Sequence, residues 1–517
     1  MIAALSLATD LAIGVPLEHG LHSTLFAMRL ADLLDVDDET ASHTYYACLL
    51  FYVGCTAGAE AEAEIFGGDY ALTTYGAPVR FGSRPEMMTG IMRAIAPPSD
   101  PMPTRAVRLA GGLPKAARAF KHQVAAFCQV AQMLTERLGL PASINPLFAY
   151  FAERWDGKGQ PNGVKGEDVP LAVRILHVAR DAAFQRMVGG DEHAMGVIRD
   201  RAGGAFDPAI ARCLAEHGSD ILALDADEST WDPVLAEEPA HRLSLESETI
   251  DVALEAMSSF ADLTSRYLVG HSAGVARLAA TAAQRCRLDS SDVVSIRRAA
   301  LIHDIGRVAV PVRIWQKPGP LTPDDWERVR LHAYQSERVF ARSPFLAKLA
   351  SIATFHHERL DGSGYHRGSA AAALAPPARL LAAADAYHAM TEPRPHRAAL
   401  TAAGAAEALG AEARAGRLDH DAVAAVLEAA GHAAQRVERP AGLTEREGQV
   451  IGLLARGCQT KQVARTLGIS VKTADRHVQN AYRKIGVSTR AAAAVFAMEH
   501  GLVGWGELPI GGTGHHP

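Results

Sequence analysis

Cysteine pairs, long apolar runs and a large excess of either charge are all missing from this chain of 517 residues. Its six cysteines form no C-x-x-C pair, which argues against a disulfide framework or a cysteine zinc site and favours a reducing cytoplasm. No charge-free apolar run is long enough to span a bilayer and the first residues carry no basic region, so we expect neither secretion nor a membrane partner. The net charge of −6 is mild, so nucleic-acid binding would require a local basic surface.

Strand-like alternation is also scarce, whereas apolar residues recur at three- and four-residue spacing in segments such as RLADLLDV and VARLAATAAQRC. The sequence therefore predicts an all-α protein. Its length exceeds what one hydrophobic core usually supports, and 48% hydrophobic residues can fill several cores. We expect three domains.

A diverged repeat organises most of the chain. YYACLLFYVGC at 45–55 matches RRAALIHDIGR at 297–307, and FAERWDGKG at 151–159 matches HHERLDGSG at 356–364. A third match, RAGGAFDPAIARCL from Arg201 against RAGRLDHDAVAAVL from Arg414, closes each copy. The repeat predicts two tandem helical domains of the same type.

The second copy contains an ordered series of metal-donor side chains. Imidazole and carboxylate groups are ligands for a borderline divalent metal, and an Asp beside a His can bridge two ions. The candidate ligands are His271, His303, Asp304, His332, His356, His357 and Asp385.

The first copy has lost these donors. Gapless alignment from each DG motif places Phe127 opposite His332, and Arg180 opposite Asp385. Phe51 and Tyr52 replace His303 and Asp304, and Phe151 and Ala152 stand opposite His356 and His357. We predict a copy without metal that serves packing, dimerisation or ligand sensing, and aromatic rings that fill the vacant space.

In the second copy, GHSAGVARLA, LIHDIGRVAVP, QKPGPLTPDDWERVRLH, FHHERLDGSGY and TEPRPHR occur in an order that resembles the HD-GYP subfamily of HD phosphohydrolases. The resemblance implies a helical domain with a two-metal centre, often iron or manganese, that hydrolyses cyclic dinucleotide phosphodiesters. It makes the seven donors the ligands, with Asp304 bridging. Some relatives hold a third metal through a Glu one turn before the first His; Tyr267 stands there, so we expect two ions.

Three arginines extend this predicted site. Arg307 stands where the family usually has Lys, and could stabilise charge on the phosphoryl oxygens, so we assign catalytic roles to Asp304 and Arg307. Arg394 and Arg397 match the family's RPYR segment and are candidate phosphate ligands, with a solvated surface as the alternative. The motif that names the family is altered, because His366 follows Gly364 and Tyr365.

The C-terminal segment is locally basic, with nine Lys and Arg against four Asp and Glu between Leu443 and Val503. TKQVARTLGIS, with Ser470 as the N-cap of a helix from Val471 to about Ile485, predicts a helix-turn-helix. The stretch resembles the LuxR-type (GerE-like) DNA-binding domain, which implies double-stranded DNA as a partner and commonly a homodimer. By position, the resemblance gives phosphate contacts to Lys461 and Lys484 and base-facing positions to Lys472, Thr473, Arg476, His477 and Asn480.

The predicted order is thus two tandem HD-type domains, the first degenerate, followed by a four-helix LuxR-type module. The boundaries are a degenerate domain at 1–223, a linker at 224–245, the metal domain at 246–432, a linker at 433–442, the DNA-binding domain at 443–505 and a tail at 506–517. This organisation predicts a cytoplasmic transcriptional regulator that hydrolyses or senses a nucleotide phosphoester. Two alternatives remain: a regulator whose metal site binds ligand without turnover, and a phosphodiesterase with a vestigial DNA module.

Overall fold

The computed structural model describes residues 1–66, 83–225, 228–239, 246–431, 440–499 and 502. Within these ranges the regular elements are all helices and there is no β-strand, which confirms the predicted all-α class. Two compact units divide the chain, Met1–Thr249 and Ile250–Pro517. None of the described helices is both long and apolar enough to cross a bilayer.

The first unit packs its helices around a core of aliphatic and aromatic side chains, including Leu21, Phe26, Tyr45 and Phe148. Its described helices are α1 (Ile2–Ile13), α2 (His19–Leu33), α3 (Asp38–Leu49), α4 (Ala59–Phe66), α5 (Arg84–Ile95), α6 (Met102–Arg137), α7 (Leu171–Asp200, kinked at Gly190), α8 (Pro208–Ile221) and α9 (Trp231–Ala236).

The larger part of the second unit is a helical domain whose core includes Met257, Phe260 and Phe340. Its helices are α10 (Ser247–Asp262), α11 (His271–Arg285), α12 (Ser290–Ile302), α13 (Val312–Trp315), α14 (Pro323–Phe340), α15 (Pro344–Ala353), α16 (Pro376–Thr391), α17 (Ala402–Arg414) and α18 (His420–Ala429).

The predicted repeat is visible as matching helix starts. Helices α2 and α11 each have 15 residues and begin at a histidine. In one copy the Asp10 carboxylate accepts a hydrogen bond from the Gly20 amide at 3.0 Å, and in the other Asp262 accepts one from the Ser272 amide at 3.0 Å. His19 is therefore the counterpart of His271.

A close backbone approach is also repeated. A Cβ built on Gly306 would lie 2.1 Å from the carbonyl oxygen of His332, and one built on Gly54 would lie 2.1 Å from that of Phe127. Only glycine fits at either position, since a real Cβ could not occupy that space. The agreement supports the alignment that places Phe127 opposite His332.

The DG loops of the two copies are organised by buried carboxylates. Glu153 accepts from the amides of Asn162, Gly163 and Val164 at 2.8 to 3.1 Å. Glu358 accepts from the amides of Arg367 and Ser369, each at 2.8 Å. These bonds satisfy backbone donors that a buried loop would otherwise leave unpaired.

The predicted linker at 224–245 is partly ordered, because it contains α9. Trp231 at the start of α9 is buried, and the Thr230 amide donates to Glu18 at 2.8 Å. Residues 226–227 and 240–245, most of the second predicted linker and the whole predicted tail lie outside the described residues. The domain boundaries stay predictions.

The described residues of the C-terminal domain form four helices, α19 (Glu445–Ala455), α20 (Thr460–Thr466), α21 (Val471–Ile485) and α22 (Arg490–Glu499). Thr444 and Glu447 form a capping box on α19. Ser470 caps α21 by accepting from the Thr473 amide at 3.0 Å, which confirms the predicted cap and helix. Helices α20 and α21, joined by a turn with Gly468 at φ 64°, form the helix-turn-helix.

Candidate functional site

Five parts of the metal domain bring the seven predicted ligands together. His271 is the first residue of α11, while His303 and Asp304 follow the last turn of α12. His332 lies within α14 and Asp385 within α16, and the pair His356 and His357 follows α15. Six of the seven residues are buried, and the His357 side chain is 15% exposed.

The seven side chains form two donor groups that share Asp304. One group is Asp304, His332, His356 and His357; the other is His271, His303, Asp304 and Asp385. The ligand atoms of each group lie within 4.8 Å of one another.

Each oxygen of Asp304 faces a different group. Oδ1 lies 3.3 Å from Nε2 of both His332 and His356. Oδ2 lies 2.9 Å from Nε2 of His303 and 3.4 Å from Nε2 of His271. A carboxylate placed in this way can serve two cations at once.

Three of the histidines are oriented by the backbone three residues earlier. Nδ1–H of His303 donates to the Ala300 carbonyl at 2.7 Å, and that of His356 donates to the Ala353 carbonyl at 2.6 Å. His332 donates likewise to Val329. A neutral imidazole with its proton on Nδ1 directs the Nε2 lone pair to the centre, as a metal ligand requires.

Several polar atoms at the centre are buried without a hydrogen bond of acceptable geometry. They are Nε2 of His303 and both carboxylate oxygens of Asp304. Such atoms are costly in a protein interior unless a partner compensates them. A divalent cation between these imidazoles and carboxylates would supply that partner, so the residues present fit a metal centre.

The charge distribution differs between the two groups. Burial lowers the pKa of His356 to about 4 and that of His357 well below its ordinary value, so these imidazoles are neutral. Burial opposes a proton on His303 too, but the Asp304 carboxylate outweighs it and raises the pKa of His303 to about 9. A cation that binds on that side would therefore have to displace a proton from His303.

Arg307 adds a positive charge at the edge of the centre. Its side chain is buried, with one guanidinium nitrogen 2.7 Å from Oδ2 of Asp304. The guanidinium lies 5.5 Å from the ring centroid of Trp315, within cation–π range. Burial would raise the pKa of Asp304, but Arg307 and His303 hold it well below its ordinary value.

The two predicted phosphate ligands make intramolecular contacts. Arg394 pairs with Glu392 at 2.8 Å and donates to the carbonyl of Tyr267. Arg397 donates to the carbonyls of Ala389 at 2.6 Å and Glu392 at 3.1 Å, among others at the end of α16. A phosphate would have to compete with these bonds.

Aromatic rings take the equivalent space in the first unit. Phe51 stacks on Phe151 with centroids 5.0 Å apart, and the Arg180 guanidinium lies 4.8 Å from the Phe51 centroid. Tyr52 contacts Phe184, which also packs on His19. Among the described residues, every group of potential ligands lies in the second unit.

The predicted DNA-contacting residues lie mainly on one face of α21. Lys472 and Arg476 are exposed, as is Lys461 on α20; Thr473, His477 and Asn480 are half-buried. The opposite face, with Ala474, Val478 and Ala481, is buried. Lys484 differs from the others, because its ammonium donates to Glu447 at 2.6 Å and to the Gly442 carbonyl at 3.0 Å.

Two supporting residues escaped the sequence analysis. The Ser336 hydroxyl donates to the His303 carbonyl and accepts from the Gly306 amide, both at 2.9 Å, and so joins the His303 turn to α14. Glu392 accepts from Nδ1 of His271 at 2.8 Å. Ser336 lies four residues after His332, one helical turn, which was an available signal. Glu392 lies within the TEPRPHR segment, but that motif gave no sign of its contact with His271.

Comparison with known families agrees with this architecture. The model described as HD domain matches residues 109–210 and 255–422, together more than half of the chain, and the model described as bacterial regulatory proteins, luxR family, matches 441–497. The chain belongs to the HD domain family and ends in a LuxR-type helix-turn-helix domain. Both predicted resemblances are confirmed, including the degenerate first copy as part of an HD match.

Among curated proteins, the chain is similar to 3'3'-cGAMP-specific phosphodiesterase 3 of Vibrio cholerae, with 28% identity over 77% of this chain and 87% of that protein. It is also similar to a cyclic di-GMP phosphodiesterase of Thermotoga maritima, with 36% identity over 28% of this chain and 39% of that one. A crystal structure of the V. cholerae cyclic GMP-AMP-specific phosphodiesterase V-cGAP3 shares the fold. The TM-score is 0.56 at 24% identity, and the match covers 83% of this chain and 96% of that one.

Proposed function

We propose that the second HD copy is a two-metal phosphodiesterase for a cyclic dinucleotide and that it controls DNA binding by the C-terminal domain. The position of Asp304, with one oxygen toward each donor group, is the observation that carries the enzymatic part. Relatives named as cyclic GMP-AMP and cyclic di-GMP phosphodiesterases support the substrate class.

The donor set would hold two divalent ions, with iron or manganese proposed from the resemblance. When bound, such ions lower the pKa of water and neutralise phosphate oxygens. The chain's own contribution is orientation: the Nδ1 bonds of His303, His332 and His356 keep each Nε2 directed inward. Arg307, held by Asp304 and Trp315, offers a cation to charge that develops on the phosphoryl oxygens.

Hydrolysis tests the enzymatic proposal. Purified chain reconstituted with Mn²⁺ or Fe²⁺ under anaerobic conditions should cleave 3'3'-cGAMP, cyclic di-GMP or both, with linear dinucleotides as the first products on chromatography. Asp304→Ala serves as the inactive control. Absence of turnover with all cyclic dinucleotides and with bis(p-nitrophenyl) phosphate, at full metal content, would favour a regulator that binds its ligand without hydrolysis. The intramolecular bonds of Arg394 and Arg397 are the observation that favours this second function.

The regulatory part rests on the C-terminal domain. The exposed Lys461, Lys472 and Arg476 provide a basic surface for double-stranded DNA. We assign the chain to the cytoplasm, where its DNA partner would be, and propose a homodimer because LuxR-type domains commonly bind paired half-sites. Light scattering of the full chain with and without DNA measures the dimer. A strictly monomeric complex would contradict it.

A contact within the second unit offers a route for coupling the metal centre to the DNA-binding domain. A Cβ built on Gly457, between α19 and α20, would lie 2.6 Å from Cδ of Arg266. The next residue, Tyr267, provides the carbonyl bound by Arg394, and Arg394 pairs with Glu392 behind His271. Occupancy of the metal centre can therefore bias the segment that touches the DNA-binding domain.

Arg266→Ala tests this route. In wild type we expect DNA affinity to change on addition of a cyclic dinucleotide to metal-loaded protein, and in Arg266→Ala we expect the change to shrink while hydrolysis persists. Arg328→Ala, which removes an exposed arginine on α14, is the matched control. An undiminished response in Arg266→Ala would exclude this contact as the route.

A further inference from the structure

Glu392 lies directly behind one of the candidate ligands. It follows the last residue of α16, and its Oε2 accepts a hydrogen bond from Nδ1–H of His271 at 2.8 Å. On the other side of the same ring, Nε2 lies 3.1 Å from Oδ1 of Asp385 and 3.4 Å from Oδ2 of Asp304. The imidazole is thus held between Glu392 and the centre.

The group that accepts the Nδ1 hydrogen bond of His271 is charged, unlike the acceptors of three other histidines of the centre. His303, His332 and His356 donate Nδ1–H to neutral backbone carbonyls, whereas His271 donates to a carboxylate. A carboxylate on the outer nitrogen fixes the tautomer and makes the inner nitrogen a stronger donor.

Glu392 is itself fixed in position. Arg394 contacts the same Oε2 at 2.8 Å, and Nδ1 of His388 lies 3.3 Å from Oε1. The Glu392 side chain is 15% exposed, so water competes little for these contacts.

We propose that Glu392 is a positioning residue that orients His271 and strengthens the ion bound by His271, His303, Asp304 and Asp385. The inference rests on the metal centre of the proposed function and adds a residue outside its ligand set. His271, His388 and Glu392 could instead hold a separate ion through Nδ1 of His271. The distance of 2.8 Å between Nδ1 and Oε2 favours positioning, because it is the length of a charge-assisted hydrogen bond between an imidazole N–H and a carboxylate.

Metal titration of the full chain tests the proposal. Metal-free wild type, Glu392→Gln and Glu392→Ala are titrated with Co²⁺ against a competing chelator, and visible absorption reports each site. We expect two ions in wild type. One ion should weaken by roughly 10-fold in Glu392→Gln, which keeps an acceptor oxygen, and by up to about 100-fold in Glu392→Ala, while the other ion keeps its affinity and spectrum.

Glu412→Gln is the matched control, since it removes a carboxylate that pairs with Arg417 and contacts none of the seven donors. Unchanged affinity of both ions in both Glu392 variants would overturn the proposal. A third ion in wild type that is lost in Glu392→Gln would overturn it in favour of Glu392 as a ligand. If Glu392→Ala does not fold, the near-isosteric Glu392→Gln still decides. Wild type that binds no ion would instead refute the proposed metal centre.

Discussion

The grouping of Asp304 with the six other candidate ligands could be predicted from the sequence, and their role as metal ligands stays a prediction. The donors could be predicted because their types and order match a known ligand series. Glu392 and Trp315 could not, because each acts through a side-chain contact that depends on the tertiary fold: Glu392 is 121 positions from His271. Arg394 and Arg397 show what a motif match cannot predict, because the motif gave no sign of the backbone carbonyls that they bind.

Arg307 gives a prediction at this scale. Arg307→Ala should lower kcat for a phosphodiester by on the order of 100-fold, because a cation aimed at developing charge is removed. Both metal ions should remain bound, since Arg307 is not a donor. Steady-state kinetics and metal analysis on the same samples measure this; a normal kcat at full metal content would remove Arg307 from the catalytic set.

A second residue-scale prediction concerns pH and the first unit. Burial lowers the pKa of His19 and of His177 to about 3, against 6.5 when unfolded. Below pH 6.5 the unfolded chain therefore binds protons that the folded unit does not bind. The free energy of unfolding of the first unit falls as pH drops toward 3. Each histidine contributes a slope approaching about 1.4 kcal/mol per pH unit.

His177→Gln should make urea unfolding less sensitive to pH between 7 and 5, because one titrating group is gone. The measurement is the difference in unfolding free energy between the two pH values, for variant and wild type. An equal pH dependence in both proteins would show that His177 is not kept neutral by burial.

At the scale of elements, the helix starts and turns were the more predictable part. Ser470 marked the start of α21, and the apolar spacing marked its buried face. Helix α9, which lies inside the predicted linker at 224–245, was not foreseen, because Trp231 is buried by tertiary packing although the segment has no helical periodicity. The close approach of Gly306 to the His332 carbonyl was also hidden, since it joins α14 to a turn distant in sequence.

The recognition helix α21 supplies the element-scale prediction. Lys461→Ala should weaken binding to all DNA sequences about equally, because a phosphate contact carries no sequence information. Arg476→Ala should reduce discrimination between operator and random DNA, since its position on α21 faces base edges. Fluorescence anisotropy on both DNAs at two salt concentrations separates these effects. A uniform loss in both variants would contradict the assignment of Arg476.

At the scale of the whole molecule, the repeat explains how one fold supports two different interiors. Both copies keep the histidine at the start of α2 or α11, the glycine that lies against a backbone carbonyl of α6 or α14, and the buried Glu of the DG loop. Four of the donors were exchanged for aromatic residues in the first copy, where Phe51 and Phe151 stack. Comparison of the two copies in the sequence predicted this exchange.

Metal stoichiometry tests the central claim most directly. Elemental analysis of wild type after anaerobic reconstitution should give two Fe or Mn ions per chain. Asp304→Ala should lose both, because its two oxygens face both donor groups, whereas His356→Ala should weaken mainly one. Full metal content in Asp304→Ala, or none in wild type, would contradict a two-metal centre bridged by Asp304.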